Sequence, residues 1–433
     1  MTIPEEIKYL YSIKSVRETN LSTLELIKNN KLINFNVNLN NIDNVVNFVI
    51  ETIKSTYPTN DSLLTIPIHG RFQHFNKGNE NRLPDLINNE FKKKMGLNDE
   101  EICKKLIDLF VISVLLDAGA GNNWKYIEKK SGLLFNRSEG IAIATFHMFI
   151  NGVFSNNENG DDKYRVDGNK LSKLTGKELS DGLQISEMNP INGFEGRLKL
   201  LNKLGETLVN DDEIFKSNRP GDLVDYLNLH CDEGKNIEIE ILWDVLMKLL
   251  IPIWPSEGRT KIDNYLIGDA WPLKNKNDKI VTFHKLTQWL TYSLFKPLIE
   301  FGKFKILNSQ YMTGLPEYRN GGLFIDFNVI SLKDNEHNQN GIKLGNQILG
   351  LNNIPVFKPD DDVIIEWRSI TINLLDYLLP IINEKMGIKG SKYELSLPQL
   401  IEAGSWKSGR IIASKLRSNG GPPIELLGDG TVF

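Results

Sequence analysis

Apolar residues recur at helical spacing along most of this chain. After Asn98, a residue suited to cap a helix, "DEEICKKLIDLFVISVLLDAG" places apolar side chains at 102, 106, 109, 110 and 116, then stops at Gly119 and Gly121. A polar cap before the apolar period and glycine after it are the expected punctuation of a helix. The same period predicts helices over 138–154, opening on Ser138 and Glu139, and over 194–209, 237–254, 283–302, 362–387 and 396–417. Pro297 is expected to kink or end the helix over 283–302. Strand-like runs are fewer: "LLTIPIH" (63–69), "KFKILN" (303–308) and "LFIDFNVI" (323–330). The pattern lacks the strand–helix alternation of a doubly wound sheet. The expected fold is therefore mainly α, a compact multi-helix protein with a minor β element. Residues 1–60 read as a helical, Asn-rich segment, and 61–433 as one compact helical catalytic domain without repeats or long linkers.

Composition narrows the function classes. With 433 residues, 40% hydrophobic and 24% charged, the chain has a globular balance, and its net charge of −4 offers no basic field for nucleic acid. Cys103 and Cys231 stand alone, which fits a reducing compartment and supplies neither a disulfide framework nor a cysteine-rich zinc site. No apolar signal segment opens the chain, and its longest apolar stretch is interrupted by Asp108 and Asp117. A cytoplasmic protein with no membrane or nucleic-acid partner is expected.

Candidate chemistry lies in short turns that combine glycine or proline with charged and aromatic residues. Arg71, Arg197, Arg259, Arg319 and Arg410 each sit at or within two residues of a glycine in such a turn. A guanidinium there suits a phosphate or carboxylate, and the alternative is a loop arginine bonded to carbonyls or surface acids. Carboxylates at element ends include Asp117, Glu139, Asp269, Glu317, Glu366 and Glu402. Glu317, Asp269 and Glu366 are the candidate catalytic groups, able to orient water or protonate a leaving group, against the alternative of ion-pair braces. His69, Arg71, Trp124, Arg259, Trp271, Tyr318, Arg319, Arg368 and Arg410 are the candidate substrate-binding residues. Trp289 and Trp367, at helical spacing, read as core. His69 and His74 are five apart, not the spacing of a helical zinc pair, so neither metal nor cofactor is expected. No phosphate-binding P-loop, dinucleotide fingerprint, nucleophile elbow or CxxC is present.

One turn concentrates these features. In "TGLPEYRNGG" (313–322), Pro316 and the Gly321–Gly322 pair suggest an unusual turn leading into a strand. In an extended segment Glu317 and Arg319 share a face, with Tyr318 on the other, so they form either a water-orienting acid beside an anion clamp or an ion pair bracing the loop.

Taken together, "HGRFQHF", "DAGAGNNWKY", "RSEGIAIAT", "NPINGFEGRLKLL", "RPGDL", "WPSEGRT", "GDAWP", "FHKLTQWLTYSL", "TGLPEYRNGGL", "EWRS", "EAGSWKSGRIIA" and "PPIELLGDGTVF" resemble the uracil catabolism protein 4 family. The resemblance runs from about residue 60 to the C-terminus, with Ile68 and Phe72 standing where bulkier aromatics are expected. It implies a role in pyrimidine degradation through nucleoside-like intermediates towards urea, and it assigns no catalytic residue. The expected activity is metal-independent hydrolysis of an N-glycosidic or ureido bond in a ribosylated, possibly phosphorylated, urea or pyrimidine. The alternatives are a uracil phosphoribosyltransferase, disfavoured by the missing pyrophosphate loop, and a non-catalytic nucleotide-binding subunit.

Overall fold

Helix ends in this chain are written by local side chains. Asn98 accepts a hydrogen bond from the Glu101 N–H, and Asp99, Glu100 and Glu101 fill the first turn of the helix Asp99–Leu115. Both features oppose the positive end of the helix dipole. The computed structural model describes residues 3–117, 120, 123–157, 160, 162–350 and 353–428; Gly119, Gly121 and the closing "DGTVF" lie outside them.

The fold is mainly α. Helices occupy Arg137–Ile150, Phe194–Asn210, Ile239–Leu250, Lys285–Glu300, Asp362–Lys385 and Trp406–Leu416, close to the expected ranges. Pro297 falls in the last turn of its helix, where its missing N–H costs a single bond to the preceding turn, and the helix ends at Glu300. The strands described are short and pair in twos, for example Phe35–Val37 antiparallel to Ile330–Leu332, and Ala270–Leu273 antiparallel to Lys279–Thr282.

Two expected strands are not formed. Residues 60–63 make one helical turn closed by a Thr59–Ser62 capping box, and the chain to His69 is irregular. The "LFIDF" run belongs to a helix, Tyr318–Asp326, and strand begins only at Ile330. Its paired glycines are helical and serve close packing. A Cβ on Gly321 would stand 2.6 Å from Thr371 Oγ1 and 2.7 Å from Trp367 Nε1, and one on Gly322 would stand 2.9 Å from Pro423. Run and alternation alone do not distinguish a strand from a tightly packed short helix.

The chain divides into two compact units. Of the described residues, the first contains those of 3–69, 256–288 and 310–428, and the second those of 70–255 and 289–309. In the first unit, Ile27, Leu32, Phe35, Val45, Val49 and Ile53 join one core with Leu323, Phe324, Trp367, Ile370, Leu374 and Ile401. The Asn-rich opening segment is thus part of that core. In the second unit, buried Asp108 on the helix Asp99–Leu115 receives Arg219 Nε and Nη2 at 3.0 and 2.6 Å, together with the N–H groups of Gly221 and Val166.

Gly409 is a tight packing constraint in the first unit, because a Cβ there would lie 2.2 Å from the Arg319 carbonyl oxygen. Gly409→Ala is expected to lower stability in a denaturant titration by about 1–3 kcal/mol. Gly176→Ala, whose Cβ would meet nothing closer than 3.6 Å, should leave the midpoint unchanged or slightly raised.

Candidate active site

Residues 313–320 are held from every side in the first unit. Thr313 donates through both its N–H and its hydroxyl to Gln288 Oε1, at 3.1 and 2.9 Å. Arg17 donates to the Met312 carbonyl at 2.7 Å and pairs with Asp376. Pro316 breaks the chain's extended path, and Glu317 then caps the helix Tyr318–Asp326. Its carboxylate receives the N–H groups of Arg319 (2.7 Å) and Asn320 (2.5 Å). Burial raises the Glu317 carboxyl, and the two N–H bonds work against that rise. Glu317 and Arg319 therefore do not lie side by side on an extended strand. Arg319 instead donates Nη1 to the Gly420 carbonyl at 2.8 Å, with its guanidinium carbon 4.9 Å from the Tyr318 ring centroid. Asn320 receives the Ser405 hydroxyl at 2.7 Å.

Behind this turn lies a buried ion pair. Arg368, on the long helix Asp362–Lys385, forks onto Asp269 with Nη1–Oδ1 at 2.7 Å and Nη2–Oδ2 at 2.6 Å. Its Nε faces the Pro316 carbonyl at 3.4 Å, and its face rests 4.1 Å from the Phe283 ring centroid. Asp269 also receives Trp271 Nε1 at 2.9 Å and the Lys285 N–H at 3.0 Å, while its carbonyl receives the Phe283 and His284 N–H groups. Burial would push the Asp269 carboxyl up, but the Arg368 charge and these bonds outweigh it and hold it well below the usual carboxylate range. Arg259 stands over Trp271, 5.6 Å from its centroid. His284, at φ +41, has its ring nitrogen Nε2 donating to the Leu10 carbonyl.

Glu366 lies two residues earlier on the same helix, about half a turn round, and so faces elsewhere. Its two oxygens receive the N–H groups of Ile33 and Asn34 at 2.8 and 2.7 Å, which ties the first strand to the helix. Burial raises this carboxyl to about 7, against the pull of those N–H groups. All three candidate catalytic carboxylates thus have both oxygens engaged by structural donors.

A different acid–base pair is present. His69 Nδ1 is 2.6 Å from Glu402 Oε2, and an ionised carboxylate only accepts, so Nδ1 carries the hydrogen. Glu402 sits in a π-helical turn, Ile401–Ser405, an irregularity that recurs at functional sites. The His69 ring tilts against Trp406 with centroids 5.7 Å apart, and the Arg410 guanidinium lies 4.9 Å from the Trp406 centroid. Gly409, next to Arg410, packs on the backbone of Arg319. His69, Trp406, Arg410, Arg319 and Tyr318 are thereby linked through successive contacts, and Pro316 connects them to Arg368, Asp269, Trp271 and Arg259.

Arg71 and Trp124 belong to the second unit, and both are fully buried. Arg71 donates to the Ser113 hydroxyl and carbonyl at 2.8 and 2.9 Å and pairs with Asp117 at 3.0 Å. Trp124 donates to the Leu183 carbonyl. Among the described residues no group of three or more His, Cys, Asp or Glu side chains is placed to hold a metal, and no helix is long and apolar enough to cross a membrane.

A family model described as "Protein of unknown function (DUF1688)" matches residues 9–433. "Uracil catabolism protein 4" of Lachancea kluyveri is 48% identical over 453 aligned positions, covering all of both chains. "Protein urg3" of Schizosaccharomyces pombe is 41% identical over 430 positions and 99% of each. The matches include the first sixty residues, in which sequence blocks alone had shown no resemblance.

Two carboxylates here give distinct pH signatures. Asp269→Asn leaves Arg368 buried without its charge partner and is expected to cost about 3–5 kcal/mol in denaturant unfolding. Because the folded Asp269 value is depressed, the pair's contribution is present above the unfolded value and is lost on acidification below about pH 4. Glu366 has the opposite sign. Its folded value is raised, so its ionisation opposes folding, and stability should fall as pH rises from the ordinary carboxyl value of about 4.5 towards 7. That fall is at most about 3 kcal/mol at roughly 1.36 per pH unit, and Glu366→Gln should flatten it.

Proposed function

The chain belongs to the DUF1688 family, and from that premise we propose that it acts in uracil catabolism, as the name of its Lachancea kluyveri relative says of that protein. Within that role we read it as a metal-independent hydrolase of an N-glycosidic or ureido bond in a ribosylated urea or related nucleoside-like compound. The observation that carries this reading is the His69–Glu402 pair, set beside Trp406 and Arg410.

The chemistry that such a site supports is direct. In ribosylurea hydrolysis the C1′–N bond breaks with its electron pair leaving on the urea nitrogen, which takes up a proton. Water adds to the oxocarbenium-like carbon and gives up a proton in turn, yielding ribose and urea. A histidine oriented by a carboxylate can accept and return that proton near neutral pH, so no metal is needed. Trp406 and Tyr318 offer flat faces for the planar urea. The Trp406 ring holds the Arg410 guanidinium in a fixed plane, a suitable clamp for a 5′-phosphate. Asp269–Arg368 and the Glu317 cap then act as positioning groups, fixing the turn that carries Tyr318 and Arg319.

The test is release of urea by pure protein from ribosylurea and from its 5′-phosphate, in wild type and Glu402→Gln. Turnover is expected in wild type and a loss of roughly a hundredfold or more in the variant, with an unchanged unfolding midpoint. Binding without turnover would favour a regulatory subunit, and equal turnover in the variant would remove the pair from the chemistry.

A further inference from the structure

The hairpin Lys125–Ile127 with Leu134–Asn136, in the second unit, shows its aliphatic side chains to solvent. Ile127 and Leu134 face each other across the strands and are each 52% exposed, while neighbouring Leu133 is 40% exposed. The inward face carries Tyr126 and Phe135, the latter beneath Arg82. Alternation along both strands is thus regular, but the outer face carries isoleucine and leucine where polar residues are the norm.

The outer edge of this hairpin is closed to another strand. Asn189 accepts from the Lys125 N–H and donates to the Lys125 carbonyl, at 2.8 Å each. Gln184 does the same for Ile127, at 2.9 Å each. Two side-chain amides imitate a neighbouring strand, which protects the edge from β-addition. Along Lys125–Ile127, whatever covers the apolar residues must approach the face rather than the edge.

Charge indicates what that is. Lys125, Lys129 and Lys130 are exposed on the hairpin, and Lys77 is exposed beside Gly78, which touches Leu133 and Phe135. The hairpin's own acid, Glu128, is turned inward. Its oxygens receive Arg82 Nε at 2.6 Å and Nη2 at 2.5 Å, and His147 Nε2 at 2.7 Å. Glu187, next to Met188, which is 95% exposed, and Asp181, paired with Lys177, are exposed carboxylates near this edge. A face of aliphatic side chains ringed by lysines repels a second copy of itself and complements an anionic surface. Three or four part-exposed side chains make a small apolar patch of a few hundred Å² at most. Shallow insertion of a few aliphatic groups beside lysines does suit a lipid headgroup layer.

We infer that this hairpin is a peripheral docking site for an anionic membrane surface. Ile127, Leu133 and Leu134 enter the headgroup boundary, and Lys77, Lys125, Lys129 and Lys130 lie over the acidic lipids. The inference does not depend on the catalytic reading, since none of these residues belongs to the candidate active site.

Co-sedimentation of the full chain with phosphatidylcholine vesicles, with and without phosphatidylserine, tests it. Binding is expected to need phosphatidylserine and to fall with added salt, because each lysine near the surface contributes roughly a fivefold gain. Lys129→Gln/Lys130→Gln should weaken binding by roughly thirtyfold, and Leu133→Asn/Leu134→Asn should weaken it without changing the salt dependence. Circular dichroism confirms that both variants fold, and the lysine pair, lying wholly at the surface, serves if the leucine pair does not. Binding that ignores phosphatidylserine, lysine variants that bind like wild type, or no binding at all would overturn the inference. So would a self-association of the wild type that the leucine variant abolishes, which would make the face an interface between copies.

Discussion

The first unit depends on one guanidinium. Arg368 is carried into the interior by a helix apolar on nearly all sides, and a charge in that position is tolerable only when paired and hydrogen-bonded. Asp269 meets both of its terminal nitrogens, Phe283 supports its face and Pro316 receives its remaining N–H. Three distant segments are thereby fixed on one side chain: the hairpin that holds Trp271, the start of the helix at Lys285 and the turn that precedes Tyr318. The Glu317 cap then sets the direction in which that last turn leaves.

From this arrangement follows a division of labour among the acids. Asp269, Glu317 and Glu366 each satisfy backbone or guanidinium donors; burial raises the carboxyl groups of Glu317 and Glu366 against those donors, whereas at Asp269 the Arg368 charge and its hydrogen bonds outweigh burial and lower it. Glu402 engages an imidazole instead, on a turn whose π-helical bonding departs from the helices around it. A carboxylate that orients histidine can support proton transfer; one that closes a helix end or neutralises a buried arginine supports geometry.

Much of the helical fold was legible in the sequence because apolar period and capping residues agree, as at Asn98 and over 362–387. The misreading at 323–330 arose where these cues conflict. Gly321 and Gly322 resemble turn glycines, yet they lie in a helix, and glycine stands there because Trp367, Thr371 and Pro423 leave no room for a Cβ. The site was legible as residue types but not as partnerships. Arg368 and Asp269 were both named, yet they are 99 positions apart, and no spacing rule joins them. His69 and Glu402 are 333 apart, so the sequence alone presents His69 as a binding residue and Glu402 as one acid among several. Arg71 and Trp124 carried the same turn signature as the residues of the first unit, and folding placed them in another core.

The central claim is that the small-molecule site lies at the His69–Glu402 pair, and ligand binding observed at that histidine tests it most directly. Histidine-labelled protein, with its six imidazoles assigned by substitution, can be titrated with ribosylurea while its resonances are followed by NMR. The His69 resonance is expected to move on saturation while that of His284, bonded to the Leu10 carbonyl, stays in place. Saturable binding that leaves His69 unmoved would contradict it.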